Sequence, residues 1–100
     1  MYTINNEKKM KHFKVTGTIK VFQMEAAWFY IDVPLIKVPK TERRGWGSVP
    51  IMATVGKTTW RTSIFPMKKD YYFIPLKKSV RKKEDMFEGD IITISYSVAQ

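Results

Sequence analysis

Basic side chains are the residues of this sequence whose type and spacing most clearly suggest chemistry. Residues 68–83 contain seven Lys or Arg and one Asp, a large share of the +9 net charge of the chain. Such a cluster suits nucleic-acid binding, because phosphates neutralised by a protein release counterions. The candidate contacts are Arg43, Arg44, Lys77, Lys78, Lys82 and Lys83. A solvated helix face and turn would use the same charges, and the sequence favours that second interpretation.

A loop that combines arginine with tryptophan is a second candidate. Arg43, Arg44 and Trp46 would bring guanidinium groups beside an indole, which suits stacking on unpaired bases. A Trp side chain folded back over the end of a barrel explains the same residues, and this structural explanation is favoured.

A polar strand face supplies a third candidate. Arg61 and Ser63, with Thr59 beside them, alternate with apolar residues and could form a shallow site for an anion or another small ligand. Cross-strand hydrogen bonds and pairing with Asp32 are the structural alternative. The sequence does not separate these two readings.

Arg81 lies within the basic cluster but is interpreted differently. Asp85 and Asp90 follow it closely in the sequence. A guanidinium group and a carboxylate form strong charge-assisted hydrogen bonds, so we expect a structural ion pair in preference to a phosphate contact.

The sequence offers no constellation for catalysis, a metal or a cofactor. His12 is the only histidine, and no acid near it would hold the imidazole as a catalytic triad requires. Cysteine is absent, and the carboxylates do not recur at metal-ligand spacing. Gly56-Lys57-Thr58 imitates the end of a phosphate-binding loop, but Ile51 occupies the position of the required first glycine. We therefore expect a non-enzymatic protein without a cofactor.

The bulk composition predicts one small domain. One hundred residues suffice for a single core. No apolar run approaches the ~20 residues that span a bilayer. We expect a cytoplasmic protein with no membrane partner, monomeric in the leading interpretation and weakly dimeric in the alternative. The net charge of +9 points to negatively charged partners or simply to solubility.

Hydrophobic periodicity predicts an all-β domain of about six strands with one short helix before the last strand. Residues 1–12 are polar and are expected to form a flexible tail, and residues 13–98 a single β-barrel domain. The predicted strands cover residues 13–21, 27–33, 49–55, 58–65, 71–76 and 92–98, and the helix covers residues 77–85. Gly17 would bend the first strand. A closed or partly open barrel would remove the edges of so many short strands.

The central strand pair is predicted in detail. Gly56 and Lys57 would form a type II′ turn, since glycine occupies the first central position. The register then pairs Val55 with Thr58, Ala53 with Trp60, Ile51 with Thr62, and Val49 with Ile64. Residues 66–70 are expected to form the next turn. Six aromatic residues are interpreted as core and rim of the barrel, namely Trp28, Tyr30, Trp60, Tyr71, Tyr72 and Phe73.

Two ordered motifs carry a family resemblance. The first is Gly-x-x-x-Trp-Arg-Thr-Ser from Gly56, and the second is Val-Arg-Lys from Val80, followed by Gly-Asp from Gly89. With these motifs, nearly the whole of residues 13–98 resembles the small domains of unknown function associated with YdeI/OmpD-associated sequences. The resemblance implies a double-split β-barrel and implies no activity.

A shorter likeness covers residues 74–94. Ile74-Pro75, Val80-Arg81 and Gly89-Asp90 are similar to the half-barrel of AbrB-type regulators and MazE-type antitoxins, although extra residues separate Pro75 from Arg81. Those proteins pair two short chains into one barrel and bind DNA. This chain is long enough to supply both halves, which weakens any transfer of the dimeric DNA-reading surface.

Two functional hypotheses follow from these observations. The leading hypothesis is a non-enzymatic binding domain that contacts nucleic acid through its basic surface. The alternative is a small-ligand or protein-interaction β-barrel domain without a nucleic-acid role, which would use the face of Arg61 and Ser63 or a pocket at the barrel end. A hydrolase or transferase ranks last, because the sequence lacks a base–nucleophile pair.

Overall fold

The computed structural model describes residues 11–23, 27–68 and 70–99 of the chain. Most of these residues form strands, and one short helix precedes the last strand. The elements are β1 (Phe13–Thr18), β2 (Lys20–Phe22), β3 (Trp28–Pro34), β4 (Val49–Val55), β5 (Thr58–Lys68), β6 (Tyr71–Pro75), α1 (Lys78–Glu84) and β7 (Ile91–Val98), with one-turn 3₁₀ helices at Leu35–Lys37 and Gly45–Gly47. Residues 1–10 of the predicted tail lie outside the described residues.

The strands of the described residues join one antiparallel sheet of seven strands, in the order β1-β7-β4-β5-β6-β3-β2. This sheet curls into a half-barrel. β1 and β2 lie at opposite edges of the sheet although they are consecutive in the chain. The segment formed by residues 13–22 therefore links the two edges.

Ile19 is the point where this segment changes partners. Its N–H donates to the carbonyl of Asp90 at 2.8 Å, and its carbonyl accepts from the N–H of Gly89 at 2.9 Å. The described residues thus form seven strands where about six were expected, because Ile19 divides the first predicted strand into β1 and β2.

Gly17 does not bend the first strand, so that expectation is wrong. It pairs regularly with Ile92, and the break follows two residues later at Ile19. Gly17 instead lies where β1 approaches β3, since a Cβ built on it would be 3.7 Å from the Cβ of Ile31. Since this is an ordinary van der Waals distance, the approach of the two strands does not itself require glycine.

Alternation along the strands produces the core. Trp60 is confirmed as a core residue, at 7% exposure. The hydroxyl of the buried Tyr96 donates to the carbonyl of Lys37 at 2.6 Å, and burial raises the pKa of this phenol. The largest fully buried side chains are Ile19, Ile31, Val33, Val49, Ile51, Ile64, Ile74, Leu76, Val80 and Ile94. Each of these contributes about 1.5–3 kcal/mol when removed from water.

The β4–β5 hairpin has the predicted register, with Val55 opposite Thr58 and Val49 opposite Ile64. Gly56 has a φ of 57°, while Lys57 is not among the residues with positive φ, as a type II′ turn requires. The turn expected at residues 66–70 is shorter than predicted, because β5 continues to Lys68 and pairs with β6 through an irregular register. Asp70, with a φ of 63°, lies in the turn. Pro66 lies at this irregularity, where a missing ladder donor is tolerated.

Glu84 fastens α1 to the tip of this hairpin. Its carboxylate accepts hydrogen bonds from the Thr58 hydroxyl at 2.6 Å and from the Lys57 N–H at 3.1 Å. Val80 is on the side of α1 that faces the core, and it is buried at 2% exposure. Asp85 ends the helix in the left-handed conformation. The helix predicted over residues 77–85 is therefore confirmed and is held at both the core and the hairpin.

Replacing Gly56 with alanine is expected to destabilise the fold. The new Cβ would overlap the carboxylate of Glu84, and the φ of 57° is unfavourable for alanine. The left-handed conformation alone costs roughly 1–2 kcal/mol in the free energy of unfolding, measured by urea denaturation. Gly45→Ala is the matched control, since its Cβ would have no neighbour within 4 Å. Equal stability of the two variants would contradict this account of the turn.

Acid should weaken the contact made by Glu84. Hydrogen bonds from Thr58 and Lys57 hold the pKa of Glu84 below its ordinary value of 4.5. The stabilisation is therefore present above the unfolded-state pKa and is lost as pH falls through the lowered folded-state pKa. Glu84→Gln should be less stable than the parent at pH 7, and the difference should shrink at pH 3 in urea denaturation. Glu88→Gln controls for the charge change, and a difference that stays constant with pH for Glu84→Gln would overturn the prediction.

Candidate functional site

Five aromatic rings lie in contact on the outer surface of the sheet, across β2, β3, β6 and β5. Neighbouring ring centroids are 5.5–6.4 Å apart in the pairs Tyr30–Phe73, Phe65–Phe73, Phe22–Tyr30 and Trp28–Phe73. We call this set, consisting of Phe22, Trp28, Tyr30, Phe65 and Phe73, the aromatic face. Most of its pairs meet edge to face, a geometry worth about 0.5–1.5 kcal/mol beyond simple burial.

The alternation of β3 explains how these rings reach the surface. Ile31 and Val33 point into the core at 0% and 1% exposure, so the residues between them point outward. Trp28 and Tyr30 belong to that outer set, and Trp28 remains 47% exposed. On β2, Phe22 is 50% exposed. Contiguous exposed apolar surface of this kind marks sites of interaction.

An ion pair lies on the same side of β3. Lys20 Nζ donates to Asp32 Oδ2 at 2.6 Å, and both side chains are about half exposed. The carboxylate raises the pKa of Lys20 through this hydrogen bond. Of the two alternatives for Arg61, the pairing with Asp32 is not formed, because Lys20 takes that carboxylate and Arg61 lies opposite Met52.

A groove opens beside Trp28 where β5 and β6 separate. The two strands pair only between residues 65–68 of β5 and residues 71–73 of β6 among the described residues. The groove encloses about 270 Å³. We call it the basic groove; Trp28, Arg61, Lys77, Lys78 and Arg81 line it together with apolar residues that include Trp60 and Leu76. Four cationic side chains thus adjoin the end of the aromatic face.

Arg81 is fixed at the wall of the basic groove. Its Nε donates to the carbonyl of Leu76 at 3.0 Å, and its guanidinium lies 3.7 Å from the ring centroid of Phe29. The expected ion pair with Asp85 or Asp90 is wrong within the described residues, since the Asp90 carboxylate instead accepts the Phe87 N–H at 2.9 Å. The hydrogen bond to Leu76 uses Nε, so the stacked guanidinium is held in place without using its Nη donors in that bond.

The structure brings together only part of the predicted nucleic-acid set. Lys77 and Lys78 line the basic groove, and Lys82 lines an adjoining groove that shares Lys78 and Arg81 with it. Lys83 lines neither groove. Its position on α1 is about 140° around the helix axis from Lys78.

Arg43 and Arg44 lie at the other end of β6. Arg43 donates to the carbonyl of Gly47 at 3.1 Å, and its guanidinium is 5.6 Å from the ring centroid of Tyr72. At about 3.3 Å per residue, Tyr72 and Lys77 are separated by roughly 16 Å. The interpretation of Trp46 stays a prediction, because its side chain lies outside the described residues.

Arg61 and Ser63 both occupy the outer side of β5, as the hairpin register predicted. Thr59 is on the same side, and its hydroxyl is hydrogen-bonded to that of Thr54 at 2.8 Å across the strands. Arg61 is exposed and reaches the basic groove, whereas Ser63 lies opposite Pro50 and is not among the groove residues. The two predicted ligand contacts are thus neighbours on the same side of β5, and only Arg61 lines the basic groove.

Sequence reasoning missed the aromatic face. Apart from Asp32, residues 28–33 are apolar or aromatic on both sides of the strand. Period-two alternation therefore did not reveal which side of β3 faces solvent. A usable signal was present, since Asp32 is in phase with Trp28 and Tyr30. A charged residue at that phase predicts that the two rings point toward solvent.

The remaining predicted features give no site. Among the described residues, His12 is exposed, and no group of three or more His, Asp or Glu could hold a metal ion. Within the same part of the chain, no helix has the length and apolar character needed to cross a membrane.

The fold and the site together define a small antiparallel β domain whose outer surface combines an aromatic face with a basic groove. The chain belongs to the family described as Domain of unknown function (DUF1905), whose profile matches residues 13–95. The resemblance to a family of small domains of unknown function is thereby confirmed. The matched region includes every residue of the aromatic face and of the basic groove. Neither a curated protein nor a solved structure is significantly similar to the chain.

Removing the Asp32 carboxylate should leave the fold intact. The pair with Lys20 is about half exposed, and ion pairs in contact with water contribute less than about 1 kcal/mol. We expect Asp32→Asn to lower the free energy of unfolding by no more than this amount, as measured by urea denaturation at pH 7. Lys20→Gln should have a similar effect because it breaks the same contact. A loss above about 2 kcal/mol would show that the carboxylate has a structural role beyond this pair.

Proposed function

We propose that this protein is a non-enzymatic binding domain for single-stranded nucleic acid. The observation that carries the proposal is the junction of the aromatic face with the basic groove at Trp28. Unpaired bases would stack on the exposed rings, and phosphates would contact the cationic side chains. Arg61, Lys77 and Lys78 supply these charges, and Arg81 is pre-positioned on Phe29.

The shape of the surface favours single strands over duplex DNA. A duplex offers its bases only at the groove edges, where a helix or a two-stranded ribbon usually reads them. α1 has only seven residues, about two turns, and its basic side is limited to Lys78, Arg81 and Lys82, so it is a short element for reading a duplex groove. An open sheet surface with exposed rings instead accepts bases that are free to splay out.

A binding assay with matched variants tests the proposal. We expect a labelled dodecamer of oligothymidine or oligouridine to bind with micromolar affinity that weakens steeply with salt, measured by fluorescence anisotropy at two salt concentrations. Trp28→Ala should weaken binding about tenfold or more, since one stacked base is worth about 1–3 kcal/mol. Lys77→Ala should weaken binding and reduce the salt dependence by about one phosphate contact.

The controls lie outside the proposed surface. Ile91 is 73% exposed and belongs neither to the aromatic face nor to the two grooves, so Ile91→Ala should bind like the parent. Lys83→Ala removes one charge without touching the basic groove and should have only a small effect. Absence of binding at low salt would overturn the proposal, as would equal losses in Trp28→Ala and Ile91→Ala.

The basic groove by itself favours a second candidate function, namely binding of a small anionic ligand. Its volume of about 270 Å³ is close to the lower end of small-molecule sites, and Arg61 and Arg81 are both at its wall. A library of small carboxylates and phosphates would be screened by thermal shift, because a ligand that prefers the folded protein must raise its stability. Stabilisation by such a compound without binding of oligonucleotides would favour this alternative.

Finer assignments accompany the main proposal. The double-split β-barrel is supported by the way β5 pairs with β4 along its first half and with β6 only at its end. The motifs from Gly56 and Val80 support an association with YdeI/OmpD-associated sequences. A cytoplasmic, monomeric protein remains the expectation from composition.

A further inference from the structure

A carboxylate within the aromatic face requires an explanation if that face binds nucleic acid. Asp32 lies opposite Phe73 in the sheet register and two residues after Tyr30 on the same strand. Its side chain is 45% exposed. A free carboxylate would repel the phosphates of a bound strand, so its presence there suggests a role toward the bases.

The ion pair leaves hydrogen-bonding capacity on both partners. Lys20 Nζ contacts Oδ2 of Asp32 at 2.6 Å. An ionised carboxylate offers about four lone-pair sites on two oxygens, and an ammonium group has three donors. Asp32 and Lys20 therefore present two acceptor atoms beside one donor group at the surface of the aromatic face.

Guanine is the base whose edge matches this arrangement. Its N1–H and N2–H groups are adjacent donors, and its O6 is the neighbouring acceptor. The two donors would bind the Asp32 oxygens, and O6 would accept from Lys20. Adenine and cytosine each place one amino donor beside a ring acceptor, and thymine or uracil places one N–H between two carbonyls. Each of these turns at least one acceptor toward the carboxylate.

The strand geometry allows stacking and edge recognition by one base. Residues two apart on a strand point the same way and lie about 6.6 Å apart. A purine stacked on Tyr30 or Phe73 would thus turn its edge toward Asp32. Lys20, directly opposite Tyr30, borders the same space. We propose that Asp32 and Lys20 select guanine within the single strand that the aromatic face binds, an inference that rests on the proposed function.

Dodecamers of oligothymidine with one central substitution test this selection. Guanine, inosine and adenine would be compared with thymine by fluorescence anisotropy at fixed salt. We expect the guanine strand to bind about tenfold more tightly than the adenine strand, since a two-bond contact of this kind discriminates by roughly that factor. Adenine controls for the stacking strength of a purine. Inosine, which lacks the N2 amino group, should bind with intermediate affinity.

Asp32→Asn distinguishes base recognition from general electrostatics. The variant loses one negative charge, so the thymine and adenine strands should bind slightly more tightly. The guanine and adenine strands should then bind with about equal affinity. Glu42→Gln is the matched control, because it makes the same charge change in an exposed loop. In Glu42→Gln, all strands should bind more tightly by a similar factor, and the preference for guanine over adenine should remain.

Each outcome separates the inference from the function on which it rests. If no oligonucleotide binds, the proposed function fails, and the guanine inference fails with it. If all four strands bind with equal affinity, the proposed function stands and the guanine inference is overturned. A guanine preference that persists in Asp32→Asn would also overturn it, because some other group would then read the base.

Discussion

The fold depends on one short segment, residues 13–22, that belongs to both edges of the same sheet. Its first half pairs with β7 and its second half with β3, and Ile19 makes the exchange. Ile19 can leave the ladder without loss because both of its backbone groups are hydrogen-bonded to the turn before β7. Its side chain is buried at 1% exposure, which anchors the break in the core. The curl of the sheet follows, since flat edges could not meet one continuous segment.

This curl determines where the surface features lie. β5 has eleven residues and serves both halves of the sheet, pairing first with β4 and then with β6. Along the half that pairs with β4, before Phe65, it is separated from β6. α1 occupies the adjacent space, held by Glu84 to the hairpin and by Val80 to the core. The basic groove is the opening that remains. Its cationic residues come from β5 (Arg61) and from α1 with the residue just before it (Lys77, Lys78 and Arg81). The curl of the sheet brings these two segments together.

The local parts of the fold could be predicted from the sequence, and the long-range parts could not. The register of the β4–β5 hairpin followed from the turn at Gly56 and from alternation, because both act within a few residues. The partner of Asp32 was left open and the expected partners of Arg81 were wrong, because each depends on which elements become neighbours. Similarly, Arg61 was recognised as a candidate, but its position near Lys77 required the separation of β5 from β6.

Exposed rings are usually costly for a small domain, so the organisation of the aromatic face bears on its role. The rings contact one another edge to face, which fixes their orientation before any ligand arrives. Under the proposed function, a surface fixed in this way would lose little side-chain freedom on binding, which would favour affinity without further contacts. Arg81 follows the same principle, because Phe29 and the Leu76 carbonyl hold its guanidinium in place. Under the proposed function, rings and cations held in place at the mouth of a groove would suit a ligand, whereas burial would favour the rings but would cost the cations their hydration.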